Sequence, residues 1–230
     1  MIAAAETMRQ SKRVLWGFAN PRSNDLAAQA LVSQCLTSSD GCVWGKGALE
    51  VCGIAGVVAL DGRDYSAQID AMNADVERRG PDDSGCFRKE NVFLGHRRLA
   101  VIDTSSDGHQ PMTRGRLTLT YNGEIYNYLE LREALRKLGH TFSTKSDSEV
   151  LLASYAEWGP SCVDHFDGMW AFALFDEEKR ELFCSRDRFG EKPFYWHADE
   201  FGFAFGSALR QLHRFRRNRA ANPAVLAEYL

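Results

Sequence analysis

Six residues stand out as types able to do chemistry at suggestive spacings: Cys52, His96, Arg98, Asn122, Gly123 and Asp147. Cys52 opens the segment CGIAG at 52–56, a cysteine at the start of a strand with glycines beside it that let other groups approach its backbone. A thiolate there would serve as an acyl-transfer nucleophile, and His96, on the same strand face as Arg98 two residues on, offers the base of a Cys–His hydrolase pair. Each residue also has a plainer reading. Cys52 fits a small buried hydrophobe, Arg98 a structural ion pair, and Asp147 the favourable start of a helix. Asn122-Gly123 after the strand pattern RLTLTY is the strongest short hairpin signal.

Order and context separate these readings. CGIAG (52–56), RGPDDSG (79–85), GHRRLAVID (95–103), YNGEIYN (121–127), SDSEV (146–150), DGMWAFALFD (167–176) and RDRFGEKPFYW (186–196) follow one another along the chain. In this order they resemble the class II glutamine amidotransferases, whose nucleophile is an N-terminal cysteine. Within that class the proline of RGPDDSG, the RLAVID and the GEIYN are similar to the glutamine-hydrolysing asparagine synthetases.

The resemblance implies an N-terminal-nucleophile hydrolase fold and a division of labour. Cys52 is the nucleophile, and its own α-amine, with an ordinary pKa of about 7.7 to 8.0, relays the thiol proton. The side-chain amide of Asn122 and the backbone N–H of Gly123 hold the oxyanion. Arg98 grips the α-carboxylate of glutamine, Asp147 and Glu124 face its α-ammonium, and the backbone at Val101 and Ile102 lines the same pocket. The expected reaction is glutamine hydrolysis to glutamate and ammonia through a γ-glutamyl thioester. The ammonia would go to asparagine synthesis from aspartate and ATP on a synthetase domain, so ATP and Mg are expected only there and no cofactor or metal in this domain. A domain that binds glutamine without hydrolysing it, a relic or a regulator, is the alternative.

These residues need elements to hold them. Ile69, Met72 and Val76 fall at helical spacing before Gly80-Pro81, and Tyr128, Leu131, Leu135 and Leu138 form a second stripe ending at Gly139. A third helix is predicted from Asp147 to Trp158, opened by a capping box of Ser146 and Glu149 and closed by Gly159-Pro160. VFLGHRRLAV, RLTLTY, MWAFALFD, ELFCSRD, PFYWHA and FGFAFG read as strands, and a charged turn at 177–180 makes MWAFALFD and ELFCSRD a hairpin. Many strands with few helices predict an α+β fold: two antiparallel sheets with helices outside, the four-layer αββα sandwich of the class.

Composition bounds the rest. Hydrophobic residues at 44% and charged residues at 26% describe a folded domain, not a disordered chain. A formal charge of −3 supplies no general attraction to nucleic acid or to a membrane, and no apolar run nears the roughly 18 residues of a bilayer span. The basic run RFRRNR at 214–219 reads as a solvated linker face. Cysteines at 35, 42, 52, 86, 162 and 184 have neither CxxC nor zinc-finger spacing, which points to reduced thiols in the cytoplasm.

Three zones follow. Residues 1–51 lack a periodic face and a secretory h-region, and the self-activating mechanism requires that they be absent from the active protein. Either translation begins later, at Val51, since the valine codon GTG is a common bacterial initiator, or a propeptide is removed. Residues 52–212 form the amidotransferase domain. Residues 213–230 form a linker and, from Asn222 as N-cap and Pro223 at N1, the first helix of a synthetase domain whose SGGLDS-type loop does not occur here. FGSALRQL (205–212) departs from the class in having Ala208 where Glu is expected, on the side that would meet that domain. Expected partners are L-glutamine and the synthetase module, and a homodimer is compatible with the sequence.

Overall fold

The computed structural model describes residues 51–100 and 106–216, together with the backbone of 14–18. Its ten strands are β1 (Val14–Phe18), β2 (Gly53–Ala59), β3 (Asp83–Lys89), β4 (Val92–Arg98), β5 (Met112–Arg114), β6 (Leu117–Ile125), β7 (Gly168–Asp176), β8 (Glu181–Arg186), β9 (Tyr195–Asp199) and β10 (Gly202–Gly206). The helices are α1 (Ser66–Asp75), α2 (Tyr128–Lys137), α3 (Asp147–Trp158) and the short α4 (Leu209–Leu212). One sheet runs β1-β8-β7-β6-β5 and the other β3-β4-β2-β10-β9. All pairings are antiparallel except that of β1, which lies parallel to β8 at the edge of its sheet.

Alternation along the strands builds the layers. From β2, Ile54 and Val58 enter the core between the sheets, while Ala55, Val57 and Ala59 turn outward to α1. From β7, Ala171, Ala173 and Phe175 face the other sheet and Trp170, Phe172 and Leu174 face α3. Large rings fill the space between small residues: Phe205 stacks on Phe194 at 5.1 Å, and its ring lies where a side chain at Gly56 would go. The result is helix, sheet, sheet, helix, the expected αββα sandwich.

Expected elements and structure differ in informative places. Asn122-Gly123 is not a turn: both residues lie inside β6, paired with Ala171 and Trp170 of β7. Ser146 does cap α3, accepting from Ser148 N at 3.1 Å. Glu149, however, does not close the box onto the Ser146 backbone. Its carboxylate turns back to accept from the N–H of Ser143 (3.0 Å) and of Thr144 (2.8 Å). Leu138 ends the stripe of α2 but is exposed. β1, VLWGF, lies in the segment expected to have no periodic face: a short run without apolar/polar alternation that sequence reasoning passed over. Beyond α4, Phe215 is buried against Tyr65 at 5.5 Å and Arg214 pairs with Asp75 at 2.7 Å. The helix predicted from Asn222 lies outside the described residues.

Candidate functional site

Cys52 immediately precedes β2. Gly53 pairs with Arg97, which puts Cys52 level with Arg98, the last residue of β4. The thiol meets the Leu99 backbone on both sides: Sγ accepts from Leu99 N at 3.3 Å and donates to Leu99 O at 3.6 Å. The Cys52 carbonyl accepts from Arg79 Nε at 3.3 Å. Burial pushes the Cys52 thiol up; the Leu99 contact, Arg98 and Lys192 pull it the other way, and Asp147 adds to the rise.

A cavity of about 250 Å³ opens at this thiol. Arg98, Asn122, Gly123, Glu124 and Asp147 all line it, so five of the seven residues expected beside Cys52 meet it in one space. Val101 and Ile102 fall outside the described residues. The volume lies below the roughly 300–1,000 Å³ typical of drug-sized ligands, which suits a small zwitterion.

Each side chain is held from a different element. Arg98 is buried at the end of β4, its guanidinium against Gly108, where any Cβ would collide with it. Asn122, from β6, is 1% exposed, and its Nδ2 has no hydrogen-bond partner. An unmet buried amide donor is costly unless something completes it. Gly123 beside it has no room for a side chain, because a Cβ would strike Met169 O and the Tyr121 ring. Asp147 opens α3 at 5% exposure, and its Oδ2 accepts from Tyr121 OH (2.8 Å) and Ile125 N (3.2 Å). Burial is the main cause that lifts the Asp147 carboxyl above its ordinary range; these contacts and Ser148 N–H oppose the lift, and Glu124 adds to it. Arg132 fixes the approach to α3 by donating to Thr144 O (2.6 Å) and Ser146 O (2.9 Å).

His96 is not brought to the thiol. It is fully buried, does not line the cavity, and contacts Tyr121 O through Nε2 at 3.0 Å. A carbonyl only accepts, so Nε2 carries the proton and the bare Nδ1 is left without a partner. Burial holds its pKa down at about 4. Sharing a strand face with Arg98 did not bring His96 to the site, because two residues further back along β4 the ring is covered by β6.

Sequence reasoning missed several lining residues, among them Gln110, Tyr121, Met169 and Lys192. Gln110 is a brace: it accepts from Tyr121 N at 2.7 Å and donates to Ser148 Oγ at 3.2 Å, tying β6 to α3. The motif RDRFGEKPFYW carried the signal for Lys192, but nothing in its spacing says which side chain turns inward. Among the described residues no group of three or more His, Cys, Asp or Glu is placed to hold a metal ion, and no helix is long and apolar enough to cross a membrane.

Comparisons with known proteins bear on the family and the fold. Residues 51–230 match the family model described as glutamine amidotransferase domain. The chain is 43% identical over 173 residues to asparagine synthetase (glutamine-hydrolyzing) 3 of Bacillus subtilis, covering 70% of this chain and 27% of that protein. It is 38% identical over 156 residues to asparagine synthetase B (glutamine-hydrolyzing) of Escherichia coli, covering 66% and 28%. The chain thus spans under a third of the length of these two relatives. Among solved structures, the glutamine phosphoribosylpyrophosphate amidotransferase of B. subtilis superposes with a TM-score of 0.59 at 20% identity, over 70% of this chain and 43% of that one. An allosteric regulatory enzyme of purine biosynthesis superposes at 0.60 and 19%, over 71% and 43%. At such identities the likeness is one of fold.

Proposed function

Because this chain belongs to the glutamine amidotransferase domain family, we propose that it hydrolyses L-glutamine with Cys52 as nucleophile. The observation that carries the reading is the meeting of the Cys52 thiol, the unpartnered Nδ2 of Asn122, the Arg98 cation and the Asp147 carboxylate in one cavity. Arg98 takes the α-carboxylate, with Glu124 and Asp147 on the α-ammonium, so the side-chain amide reaches toward Sγ. The thiol proton passes to the Cys52 α-amine as sulfur bonds to the amide carbon. Asn122 Nδ2 and Gly123 N–H receive the oxyanion. Collapse breaks the C–N bond, and ammonia leaves with the proton returned from the α-ammonium. Water then cleaves the thioester to glutamate. No step assigned to this domain uses a metal or cofactor.

This chemistry needs a free amine, and an amide nitrogen is no base near neutral pH. The reading therefore includes loss of residues 1–51, by a later start or by cleavage. β1 lies at a sheet edge and pairs only with β8, so its departure interrupts no other strand pair. The ammonia acceptor we infer from the relatives' names is aspartate, activated by ATP on a synthetase module. A cytoplasmic location fits that use.

Glutaminase activity of the protein, with intact mass and N-terminal sequence read on the same sample, is the test. Cys52→Ala should abolish glutamate release with the fold retained, whereas His96→Ala should not produce a comparable loss of catalysis. Hydrolysis that survives Cys52→Ala sinks the reading. A protein beginning at Cys52 that binds glutamine but does not hydrolyse it would support the silent-domain alternative instead.

A further inference from the structure

We propose that Lys192 is an electrostatic partner of Cys52, its ammonium stabilising the thiolate and the anionic tetrahedral intermediate without exchanging a proton. The inference rests on the reading that Cys52 is the nucleophile.

The loop between β8 and β9 is built around this one residue. Asp187, 5% exposed, accepts through its carboxylate from the N–H groups of Trp170 (3.3 Å), Phe189 (3.1 Å), Glu191 (2.9 Å) and Lys192 (3.0 Å). Arg186 donates to the carbonyls of Gly190 and, at 2.7 Å, of Lys192. Both polar groups of the Lys192 backbone are therefore pinned. The next residue is Pro193, with a fixed φ, and the one after is Phe194, buried and stacked on Phe205. Yet the ammonium of Lys192, itself a half-buried residue, makes no hydrogen bond or ion pair among the described residues, although Lys192 lines the cavity with Glu124 and Asp147.

Charge bookkeeping within the cavity gives that cation a task. The groups facing Cys52 are Arg98 from β4, Arg79 from the turn after α1, Asp147 from α3, Glu124 and Tyr121 from β6, and Lys192 from its loop. Bound glutamine is a zwitterion. Its carboxylate would be matched by Arg98 and its ammonium by Asp147 and Glu124; Arg79 does not line the cavity and donates to the Cys52 carbonyl, which leaves Lys192 as the cavity-lining cation not matched by substrate. Negative charge develops in the reaction first on sulfur and then on the carbonyl oxygen, and a fixed cation in a small cavity favours both. Burial opposes ionisation of the Cys52 thiol more than any other influence, and Lys192, like Arg98, acts against it.

Three variants of the processed protein test this: Lys192→Gln, Lys192→Arg and, should the glutamine variant be unstable, Lys192→Met. The rate of Cys52 alkylation by iodoacetamide is followed against pH by peptide mass spectrometry, with the exposed Cys86 as an internal reference. Charge removal should move the Cys52 profile to higher pH by roughly half a unit to one unit and leave that of Cys86 in place. It should lower kcat for glutamine about tenfold, less than one oxyanion donor contributes, with KM little changed. Lys192→Arg should restore both. An unmoved Cys52 profile with a raised KM would overturn the proposal and make Lys192 a substrate grip. An unmoved profile with unchanged kinetics would make the loop structural only. Either result, in a protein that Cys52→Ala inactivates, leaves the nucleophile assignment standing; activity in Cys52→Ala removes both readings together.

Discussion

Asn122 joins burial and an unmet hydrogen bond at one atom of the cavity, and that makes it the sharpest residue-level test of the oxyanion assignment. Its Nδ2 has no partner to lose, so Asn122→Ala should fold and should lower kcat about 10²- to 10³-fold with a smaller change in KM. Steady-state kinetics beside a melting curve would check this; a loss confined to KM would place Asn122 in ground-state binding. Asp147 behaves differently, because its carboxyl is raised chiefly by burial and the native state therefore holds its proton more tightly than the unfolded chain does. Its contribution to stability is present at low pH and lost as pH rises through the folded value. At neutral pH the ionised group is kept for binding at some cost to the fold. Asp147→Asn should raise KM for glutamine while the melting temperature holds or rises, and in the wild type KM should climb as pH falls toward the carboxylate range. A flat KM across that range would remove Asp147 from the α-ammonium. That these residues cluster was legible from the order of the motifs, but their geometry was not. Asn-Gly signals a hairpin wherever the chain is free to turn, yet here the ladder between β6 and β7 runs straight through both residues.

Apolar-rich runs were readable as strands: β7, β8 and β10 are buried almost along their whole length, with side chains entering the cores on both faces. Those whose position is set by a distant partner were not. β3 occupies DSGCFRK, polar enough to pass for a loop, and is held by its pairing with β4. β5 spans only three residues. The loop at 187–192 is the extreme case, since no regular element holds it and one buried carboxylate orders it. Asp187→Ala would leave four backbone N–H groups without their acceptor, at about 1–3 kcal/mol for each that water cannot reach. A melting temperature lowered by several degrees and a fall in kcat, from the released Lys192, are expected together. Asp187→Asn keeps one acceptor oxygen and should recover part of both. Loss of stability with undiminished kcat would separate the loop from catalysis.

At the scale of the whole molecule, the two sheets face each other across a mostly apolar core, and His96 is the ionisable ring drawn into it. The layering was legible from many strands with few helices, but the burial of His96 was not, because sequence spacing gives a residue's strand face and not what covers it. Thr120 Oγ1 reaches across from β6 to Gly95 O at 3.0 Å, and His96 reaches back to Tyr121 O, so β4 and β6 are joined by two polar contacts that exclude water. Protonating His96 would place a charge there with an N–H at Nδ1 that has nothing to donate to. Its folded pKa of about 4 lies below the ordinary 6.5, so the unfolded chain binds the proton first. Stability is therefore full above about 6.5 and falls as pH drops toward about 4, by on the order of 3 kcal/mol from this residue alone. Asp83, Asp75 and Glu149, whose pKa values are held down, lose their contributions in the same direction but lower, within the carboxylate range. Urea titrations at pH 7.5 and pH 5 should show the wild type markedly weaker at the lower value. His96→Gln, which can still donate to Tyr121 O, should be nearly level between the two. Equal slopes in the two proteins would mean that the acid sensitivity arises elsewhere and that the contact between the sheets tolerates a charged ring.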